Sequence, residues 1–315
     1  MALRFFILGA GGFLGRSIVR FFADQPDIAE VVAHVRSADG PTPTMAGNEW
    51  HALDLQRCNT AAFMELLDRA APDVVVNCTG LTTGPPERLR SANVDVVDRL
   101  IDALDGRTRV HLVHLGSAAE YGIQHSGGPV SEDVFATPGS AYGVTKLEAT
   151  EHLMAAARER RITATVLRVF NPVGRYSSET TLPGSAARQI DAALRNRSDA
   201  VHLGSLDSWS DYIDTRDVAR AVHSASTMAP RSGVVLNVGR GVAVHSRELV
   251  STLASIAGFD GEIVETGDGS TRSSPVTWNC ADVRAIEAKL GWWAQHSIED
   301  SLRALWCEVR ERTTA

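Results

Sequence analysis

Short hydrophobic runs rich in β-branched residues alternate with longer helical stretches along most of the chain. Runs such as Val74-Val75-Val76 are hydrophobic at consecutive positions, as in parallel strands that helices cover on both faces. This alternation is typical of βαβ units. We therefore predict a doubly wound parallel α/β sheet with strands at Arg4–Leu8, Val31–Val35, His51–Leu53, Val74–Cys78, Val110–Leu115, Thr163–Val169 and Val234–Val238.

A second, smaller region begins after Val169, where the alternation weakens. Two segments there, Gly174–Gly184 and Gly204–Asp211, are rich in Gly, Ser, Thr and Pro. Because the strand at Val234–Val238 returns to the first sheet, the predicted domains are interleaved in sequence. The first comprises residues 1–172 with 211–240, and the second, smaller substrate-binding domain comprises 173–210 and 241–315, with helices near Gly184–Asn196, His245–Ala257 and Asp282–Leu290.

Composition excludes several classes of protein. The 315 residues are 44% hydrophobic and 22% charged, as in ordinary globular domains. The net charge is −7 without a basic run, so we expect no nucleic-acid partner. We also expect a cytoplasmic protein with no membrane contact, because no hydrophobic stretch reaches the ~20 residues of a span and the first residues run directly into a strand.

The cysteines and histidines indicate no metal site. Four cysteines, Cys58, Cys78, Cys280 and Cys307, are scattered without CxxC spacing. The ten histidines form no HExxH motif. The sequence therefore predicts neither a disulfide framework nor a bound metal.

A glycine-rich segment follows the first predicted strand and opens a helix. Tight turns use glycine for steric reasons, but in this position glycines also let a pyrophosphate approach backbone N–H groups at a helix N-terminus. The segment therefore favours a Rossmann-type dinucleotide site. Its candidate cofactor-binding residues are Gly9, Gly12, Phe13, Leu14 and Gly15.

Later strand ends offer further cofactor contacts. Asp54 can accept a hydrogen bond from an adenine amino group, and Leu55 can supply a hydrophobic contact. An Asp at this position is equally suited to capping the N-terminus of the next helix, so both interpretations stand. Thr79 and Gly80, after the fourth strand, complete the candidates at this edge.

The end of the second strand bears on the choice of cofactor. NAD-selective sites carry an acidic residue there, whereas this chain has Arg36 and Ser37. A guanidinium suits the 2′-phosphate of NADP, although a surface arginine is the simpler explanation. We predict NADP, with NAD as the alternative.

Tyr142 and Lys146 stand four residues apart, on one face of a predicted helix. The chain contains only two lysines, Lys146 and Lys289, so a chance pairing is uncommon. A nearby ammonium lowers the pKa of a tyrosine from its usual value of about 10, which suits general acid–base chemistry. Ser117, at the end of the fifth strand, completes a hydroxyl, phenol and ammonium set.

These motifs, with the segment Arg168-Val169-Phe170-Asn171-Pro172-Val173-Gly174, resemble the extended short-chain dehydrogenase/reductase superfamily over nearly the whole chain. The resemblance implies that Tyr142 transfers the proton, that Lys146 binds the nicotinamide ribose and that Ser117 bonds the substrate oxygen. It further implies that Asn93 supports Lys146 through a water.

The same resemblance extends to the substrate side. It implies that Asn171 faces the substrate and that the backbone of Pro172 and Val173 meets the nicotinamide carboxamide. Members commonly act on nucleotide-activated sugars held between two domains, and they often dimerise through the helices that carry YxxxK. A homodimer is therefore expected.

Two alanines narrow the reaction. Sugar 4,6-dehydratases of this superfamily follow the catalytic hydroxyl with Asp-Glu, whereas this chain has Ala118-Ala119, which cannot transfer protons. Dehydration is thereby rejected, and 4-epimerisation with retained NAD or ketone reduction with NADPH remain. The segment Gly204–Val218 is similar to GDP-4-keto-6-deoxymannose reductases and, with Arg36, favours reduction.

One departure concerns the substrate phosphates. Many relatives carry an arginine where this chain has Ser210, so Arg188 or Arg272 would have to bind a diphosphate, or the substrate lacks one. An exposed Arg272 without a ligand is the simpler alternative. The leading hypothesis is an NADPH-dependent 4-ketoreductase of a nucleotide-linked 4-keto-6-deoxy sugar. The alternatives are an NAD-dependent 4-epimerase, a reductase of a nucleotide-free ketone, and a non-catalytic NADP-sensing protein.

Overall fold

Seven parallel strands form the central sheet of the computed structural model, which describes residues 2–37, 49–122, 127–228, 233–266 and 278–314. Its strands are β1 (Leu3–Leu8), β2 (Ile28–Val35), β3 (Glu49–Ala52), β4 (Val74–Asn77), β5 (His111–Ser117), β6 (Thr163–Val169) and β11 (Val234–Val238). The strand order is β11-β6-β5-β4-β1-β2-β3, with every neighbouring pair parallel. The predicted doubly wound sheet is confirmed.

The helices alternate with these strands and cover both faces of the sheet. Alternate residues of β1 show this arrangement, since Phe5 and Ile7 enter one buried cluster and Phe6 and Leu8 enter another. The chain passes through α1 (Phe13–Phe22), α2 (Thr60–Ala70), α3 (Pro86–Arg90), a π-helical turn (Ser91–Asp95), α4 (Val96–Leu104), a 3₁₀ turn (Ala118–Glu120), α5 (Ala141–Arg158), α6 (Leu182–Asn196), α7 (Thr215–Met228), α8 (Ser246–Ala257), α9 (Arg284–Leu290) and α10 (Ile298–Thr314).

Each face of the sheet has its own helices. The first cluster packs residues of α1, α7 and α9 against the strands, and the second packs α2, α4 and α5. Because both faces are covered, the strands must be hydrophobic at consecutive positions, and all four residues of β4 are buried. The pattern that predicted the strands thus has its physical origin in this two-sided burial.

Short strands and three helices form the smaller region. The strands are β7 (Pro172–Val173), β8 (Ala200–Leu203), β9 (Trp209–Asp211), β10 (Ile213–Asp214), β12 (Ala243–His245), β13 (Glu262–Glu265) and β14 (Trp278–Asn279). They pair as β10-β7, β12-β9-β14 and β13-β8, and α6, α8 and α10 share a third buried cluster with residues of β7, β8, β12 and β13. The three helices predicted after Val169 are present as α6, α8 and α9.

The division into two domains stays a prediction, and one part of the packing departs from it. The predicted second domain includes all of residues 241–315, but Ile286, Leu290 and Trp292 pack in the first cluster of the central sheet. The Trp292 indole also donates to the Asp217 carbonyl oxygen at 3.2 Å. This attachment holds α9 against the strand layer.

Within the described part of the chain, no helix combines the length and the hydrophobicity that crossing a bilayer requires.

Candidate active site

A cleft of about 420 Å³ opens at the carboxyl ends of the strands. It lies beside β1, between β2 and β4, where the strand order reverses direction and doubly wound sheets bind their ligands. His34, Gln56 and Cys78 are among its walls. Eight of the predicted cofactor residues also line it, namely Gly9, Gly12, Arg36, Ser37, Asp54, Leu55, Thr79 and Gly80.

The glycine-rich loop depends on glycine at two positions in particular. Gly9 has φ +78°, a left-handed conformation that side chains rarely adopt. A Cβ on Gly15 would lie 2.2 Å from the Gly9 carbonyl oxygen, so α1 can approach β1 only without a side chain there. Phe13 and Leu14 form the first turn of α1. The N-terminus of α1 is thereby directed at the cleft, as anion binding requires.

His34 fixes this loop and was not predicted from the sequence. Its Nδ1 accepts from the Gly9 backbone N–H at 3.3 Å, and its Nε2 donates to the Leu53 carbonyl oxygen at 2.8 Å. Burial lowers the pKa of His34 to about 4, so the ring stays neutral at physiological pH. The side chain joins the glycine-rich loop to the segment after β3.

Asp54 lies in the turn after β3 and does not cap a helix. Its Oδ1 accepts from the Gln56 backbone N–H at 3.0 Å, while Asn59 caps α2 by accepting from the Ala62 N–H at 2.9 Å. The helix-cap interpretation of Asp54 is therefore wrong. Asp54 lines the cleft, where the adenine contact stays a prediction.

Arg36 is exposed at the end of β2 and has no ion-pair partner among the residues that the structure describes. Ser37 is beside it on the same rim of the cleft. A guanidinium that is not already neutralised can bind a phosphate group at little cost. The geometry is therefore compatible with the predicted 2′-phosphate contact.

Ser117 ends β5, and Tyr142 and Lys146 lie on the first turns of α5. Ser140 caps this helix, its Oγ accepting from the Gly143 N–H at 3.1 Å. A Cβ on Gly143 would lie 2.4 Å from the Ala119 carbonyl oxygen. Glycine in the YxxxK motif therefore lets the turn that carries Tyr142 pack directly against the segment that follows Ser117.

Lys146 is buried, with 4% of its surface exposed. Its Nζ donates to the Leu115 carbonyl oxygen at 2.6 Å and lies 3.1 Å from Nε2 of His114. Burial lowers the pKa of Lys146 to about 8, although the nearby Glu120 carboxylate acts in the opposite direction. The ammonium group is thus only moderately stable in the site without cofactor.

A buried ion pair supports Ser117 from behind, and sequence reasoning missed it. Glu120 accepts from the Ser117 backbone N–H at 2.7 Å and from Arg168 Nε at 2.7 Å. The Arg168 guanidinium stacks over the Tyr121 ring at 4.6 Å. Because Glu120 is fully buried, it cannot reach a substrate. Its signal in the sequence is the Ser-x-x-Glu spacing of a capping box.

Asn93 bonds directly to residues other than Lys146, and its predicted contact with that lysine through a water stays a prediction. Its amide nitrogen donates to the Leu81 carbonyl oxygen and to Thr145 Oγ1, both at 2.9 Å, and its Oδ1 accepts from the Leu81 N–H at 2.8 Å. Both amide hydrogens are thereby used. Asn93 joins the loop after β4 to α5 through Thr145, and its direct contacts do not include Lys146.

The predicted substrate-side residues differ in their surroundings. Asn171 is half-buried, and its amide donates to the Asp211 carbonyl oxygen at 2.9 Å. Pro172 and Val173 form β7, and the Val173 side chain is fully buried, so a nicotinamide contact at Val173 is limited to its backbone. Arg188 pairs with Glu179 at 2.5 Å. Arg272 lies outside the described residues.

Three features occur together in this structure: a glycine-rich loop, a cleft at the switch point of the sheet, and the set of Ser117, Tyr142 and Lys146. They define an NAD(P)-dependent enzyme of the Rossmann class. The chain belongs to the NAD dependent epimerase/dehydratase family, whose model matches residues 5–239. This membership confirms the resemblance to the extended short-chain dehydrogenases/reductases. It also confirms NAD(P) as the class of cofactor.

Curated relatives carry redox activities on nucleotide sugars. The chain is 35% identical to dTDP-6-deoxy-L-talose 4-dehydrogenase (NAD(P)(+)) of Kitasatospora kifunensis, over 95% of this chain and 93% of that protein. It is 27% identical to GDP-6-deoxy-D-mannose reductase of Pseudomonas aeruginosa, over 99% of each. The solved structure of RMD from Pseudomonas aeruginosa complexed with NADPH matches with a TM-score of 0.82 and 25% identity, covering 98% of this chain and 100% of that one.

Proposed function

We propose that this protein is an NADPH-dependent reductase of the 4-keto group of a nucleotide-linked 4-keto-6-deoxy sugar. The observation that carries the proposal is the serine, tyrosine and lysine set. Lys146 of this set lies close to Cys78 in the wall of the cleft, and Ser117 is followed by Ala118 and Ala119 in place of an acid–base pair. The names of the two curated relatives, a 4-dehydrogenase and a reductase of nucleotide-linked 6-deoxyhexoses, support the substrate class.

Each residue has a defined role in this reaction. NADPH supplies the hydride that the carbonyl carbon accepts. Tyr142 donates the phenol proton to the carbonyl oxygen, which Ser117 Oγ holds by a hydrogen bond. The Lys146 ammonium stabilises the phenolate that remains and binds the nicotinamide ribose. Positioning of the ketone between Ser117 and Tyr142 supplies much of the remaining rate.

Arg36 should determine the cofactor preference. Replacing Arg36 by alanine removes the only guanidinium on this rim of the cleft among the described residues, so we expect the NADPH/NADH ratio of kcat/KM to fall by about 10-fold or more, on the order of one charge-assisted phosphate contact. Steady-state kinetics with each cofactor measure this ratio. Arg69→Ala, at an exposed arginine in the last turn of α2 that does not line the cleft, is the control. An unchanged ratio would mean that Arg36 does not bind the 2′-phosphate.

A substrate diphosphate would need a cationic side chain to bind it. Ser210 cannot supply it, and Arg188 is already paired with Glu179. Either Arg188 exchanges that partner for the substrate, or Arg272 binds it, or the ketone carries no diphosphate. Comparing the KM of Arg188→Ala and Arg272→Ala for the same substrate separates the first two arrangements.

The reaction itself is tested by NADPH consumption with dTDP- and GDP-linked 4-keto-6-deoxyhexoses. We expect one NADPH to be oxidised for each ketone reduced, with mass spectrometry showing a product two mass units heavier. Bound NAD in the purified protein and sugar interconversion without NADPH consumption would instead indicate the 4-epimerase. Activity confined to nucleotide-free ketones would remove the nucleotide sugar from the proposal.

Assembly as a homodimer through the helix of Tyr142 and Lys146 stays a prediction.

A further inference from the structure

A chain of buried hydrogen bonds runs from the end of β4 to Lys146. Oδ1 of Asn77 accepts from the Thr79 backbone N–H at 3.0 Å, and its Nδ2 lies 3.0 Å from Nδ1 of His114. Nε2 of His114 lies 3.1 Å from Nζ of Lys146, which donates to the Leu115 carbonyl oxygen. Asn77, His114 and Lys146 are all at most 4% exposed. The chain is therefore shielded from water.

The direction of these bonds follows from their first member. A backbone N–H can only donate, so the Asn77 oxygen must face Thr79 and the amide nitrogen must face His114. Nδ1 of His114 is then an acceptor without a proton. Burial lowers the pKa of His114 well below its usual range, so the ring is neutral and carries its single proton on Nε2.

That proton points at Lys146. An ammonium group has hydrogens and no lone pair, so in that form two donors would face each other across 3.1 Å. A neutral amine has a lone pair that accepts from Nε2–H while one of its hydrogens binds the Leu115 carbonyl oxygen. Rotating the Asn77 amide would reverse the His114 tautomer, but it would place the amide nitrogen against the Thr79 N–H.

We propose that His114 is a positioning residue that favours the neutral amine of Lys146 over the ammonium in the cofactor-free site, and that the amine fraction takes up a proton when the cofactor binds. The amine lone pair receives one proton from solvent per site. The resulting ammonium needs hydrogen-bond acceptors, which the ribose hydroxyls of NADP offer. The inference rests on the proposed function, in which the ammonium form of Lys146 stabilises the Tyr142 phenolate.

The other ionisable groups around Lys146 leave this arrangement intact. Glu120, behind Ser117, favours the ammonium, but Arg168 already neutralises it. Cys78, after β4, has its pKa raised to about 12 by burial and so contributes no charge near neutral pH. Tyr142 precedes Lys146 by one turn of α5. Burial lowers the pKa of Lys146 to about 8, so the ammonium still predominates at neutral pH and the amine predominates at higher pH.

The composition of the chain makes a direct measurement practical. Lys146 and Lys289 are the only lysines, so ¹³Cε/¹⁵Nζ-lysine labelling gives two side-chain signals, and Lys289→Arg assigns them. Labelled histidine reports the tautomer of His114 from its ring ¹⁵N shifts, assigned with His114→Gln. His111 is the matched control, because it is buried on the same strand and bonds Thr165 at 3.2 Å rather than Lys146.

We expect the free wild-type protein to show His114 protonated on Nε2 and Lys146 titrating below the ordinary lysine range. In His114→Gln the side-chain oxygen can turn toward Nζ, so the Lys146 midpoint should rise by about one pH unit, whereas His111→Gln should leave it unchanged. Asn77→Ala, which releases the tautomer, should raise the midpoint in the same direction. A proton on Nδ1 of His114, or midpoints unmoved in both His114→Gln and Asn77→Ala, would overturn the proposal.

Proton uptake is measured by titration calorimetry of NADPH binding in buffers of different ionisation enthalpy. At a pH about one unit above the Lys146 midpoint, we expect uptake of about one proton per site in the wild type and clearly less in His114→Gln. Binding without uptake in the wild type would contradict the coupling. These measurements need no sugar substrate, so failure of 4-keto reduction and failure of this inference are distinguishable.

Discussion

Tyr142→Phe is expected to lower kcat by about 10²–10⁴-fold while the Kd for NADPH changes little. The substitution removes the one group assigned to deliver a proton to the carbonyl oxygen. It keeps the ring, so the first turn of α5, packed closely through Gly143 against the Ala119 carbonyl oxygen, has no reason to move. Stopped-flow or steady-state kinetics with a reducible ketosugar give kcat, and calorimetry gives the Kd for NADPH.

Tyr121→Phe is the matched control for this loss. Its hydroxyl donates to Asn237 Oδ1 at 2.6 Å, and the side chain is only 1% exposed, so it cannot reach a substrate. Removing it should destabilise the fold by about 1–3 kcal/mol and leave kcat within a few-fold of wild type. If Tyr142→Phe kept full turnover, or if both variants lost activity equally, Tyr142 would not be the proton donor.

The central sheet could be predicted because its cause is local in the sequence. Strands buried on two faces must be hydrophobic at consecutive positions, and β4 and β11 show this in a few residues each. The glycine-rich loop is equally local, since the steric demands of Gly9 and Gly15 arise within one turn. Tyr142 and Lys146 stand four residues apart in the sequence, and a helix places residues with that spacing on the same face.

Partners joined by the sheet could not be predicted in the same way. His114 meets Asn77 because β4 and β5 pair in one register, and it meets Lys146 because α5 packs beside that strand. The spacing of the residues along the chain predicts neither of these two contacts. Asp54 was ambiguous for another reason, since Asn59 offers the same capping chemistry five residues later and only the position of α2 decides between them.

Arg168→Met should have the largest effect on stability, a loss of about 3–5 kcal/mol in the free energy of unfolding. Arg168 is the ion-pair partner of Glu120, and both side chains are buried, with 7% and 0% of their surfaces exposed. Removing the guanidinium leaves a carboxylate in the interior whose remaining direct partner is the Ser117 N–H at 2.7 Å. Denaturant unfolding at neutral pH measures the loss.

The double variant Glu120→Gln/Arg168→Met separates the ion pair from simple packing. A glutamine oxygen can still accept from the Ser117 N–H, and no buried charge remains, so the double variant should be more stable than Arg168→Met alone by at least about 1 kcal/mol. If the stability loss of the double variant equals the sum of the losses of Arg168→Met and Glu120→Gln alone, Arg168 stabilises the fold mainly by packing on Tyr121. Glu120 also bonds the Ser117 backbone N–H, so the unpaired carboxylate in Arg168→Met should lower kcat as well as stability. We expect both to recover in the double variant, which has no buried charge.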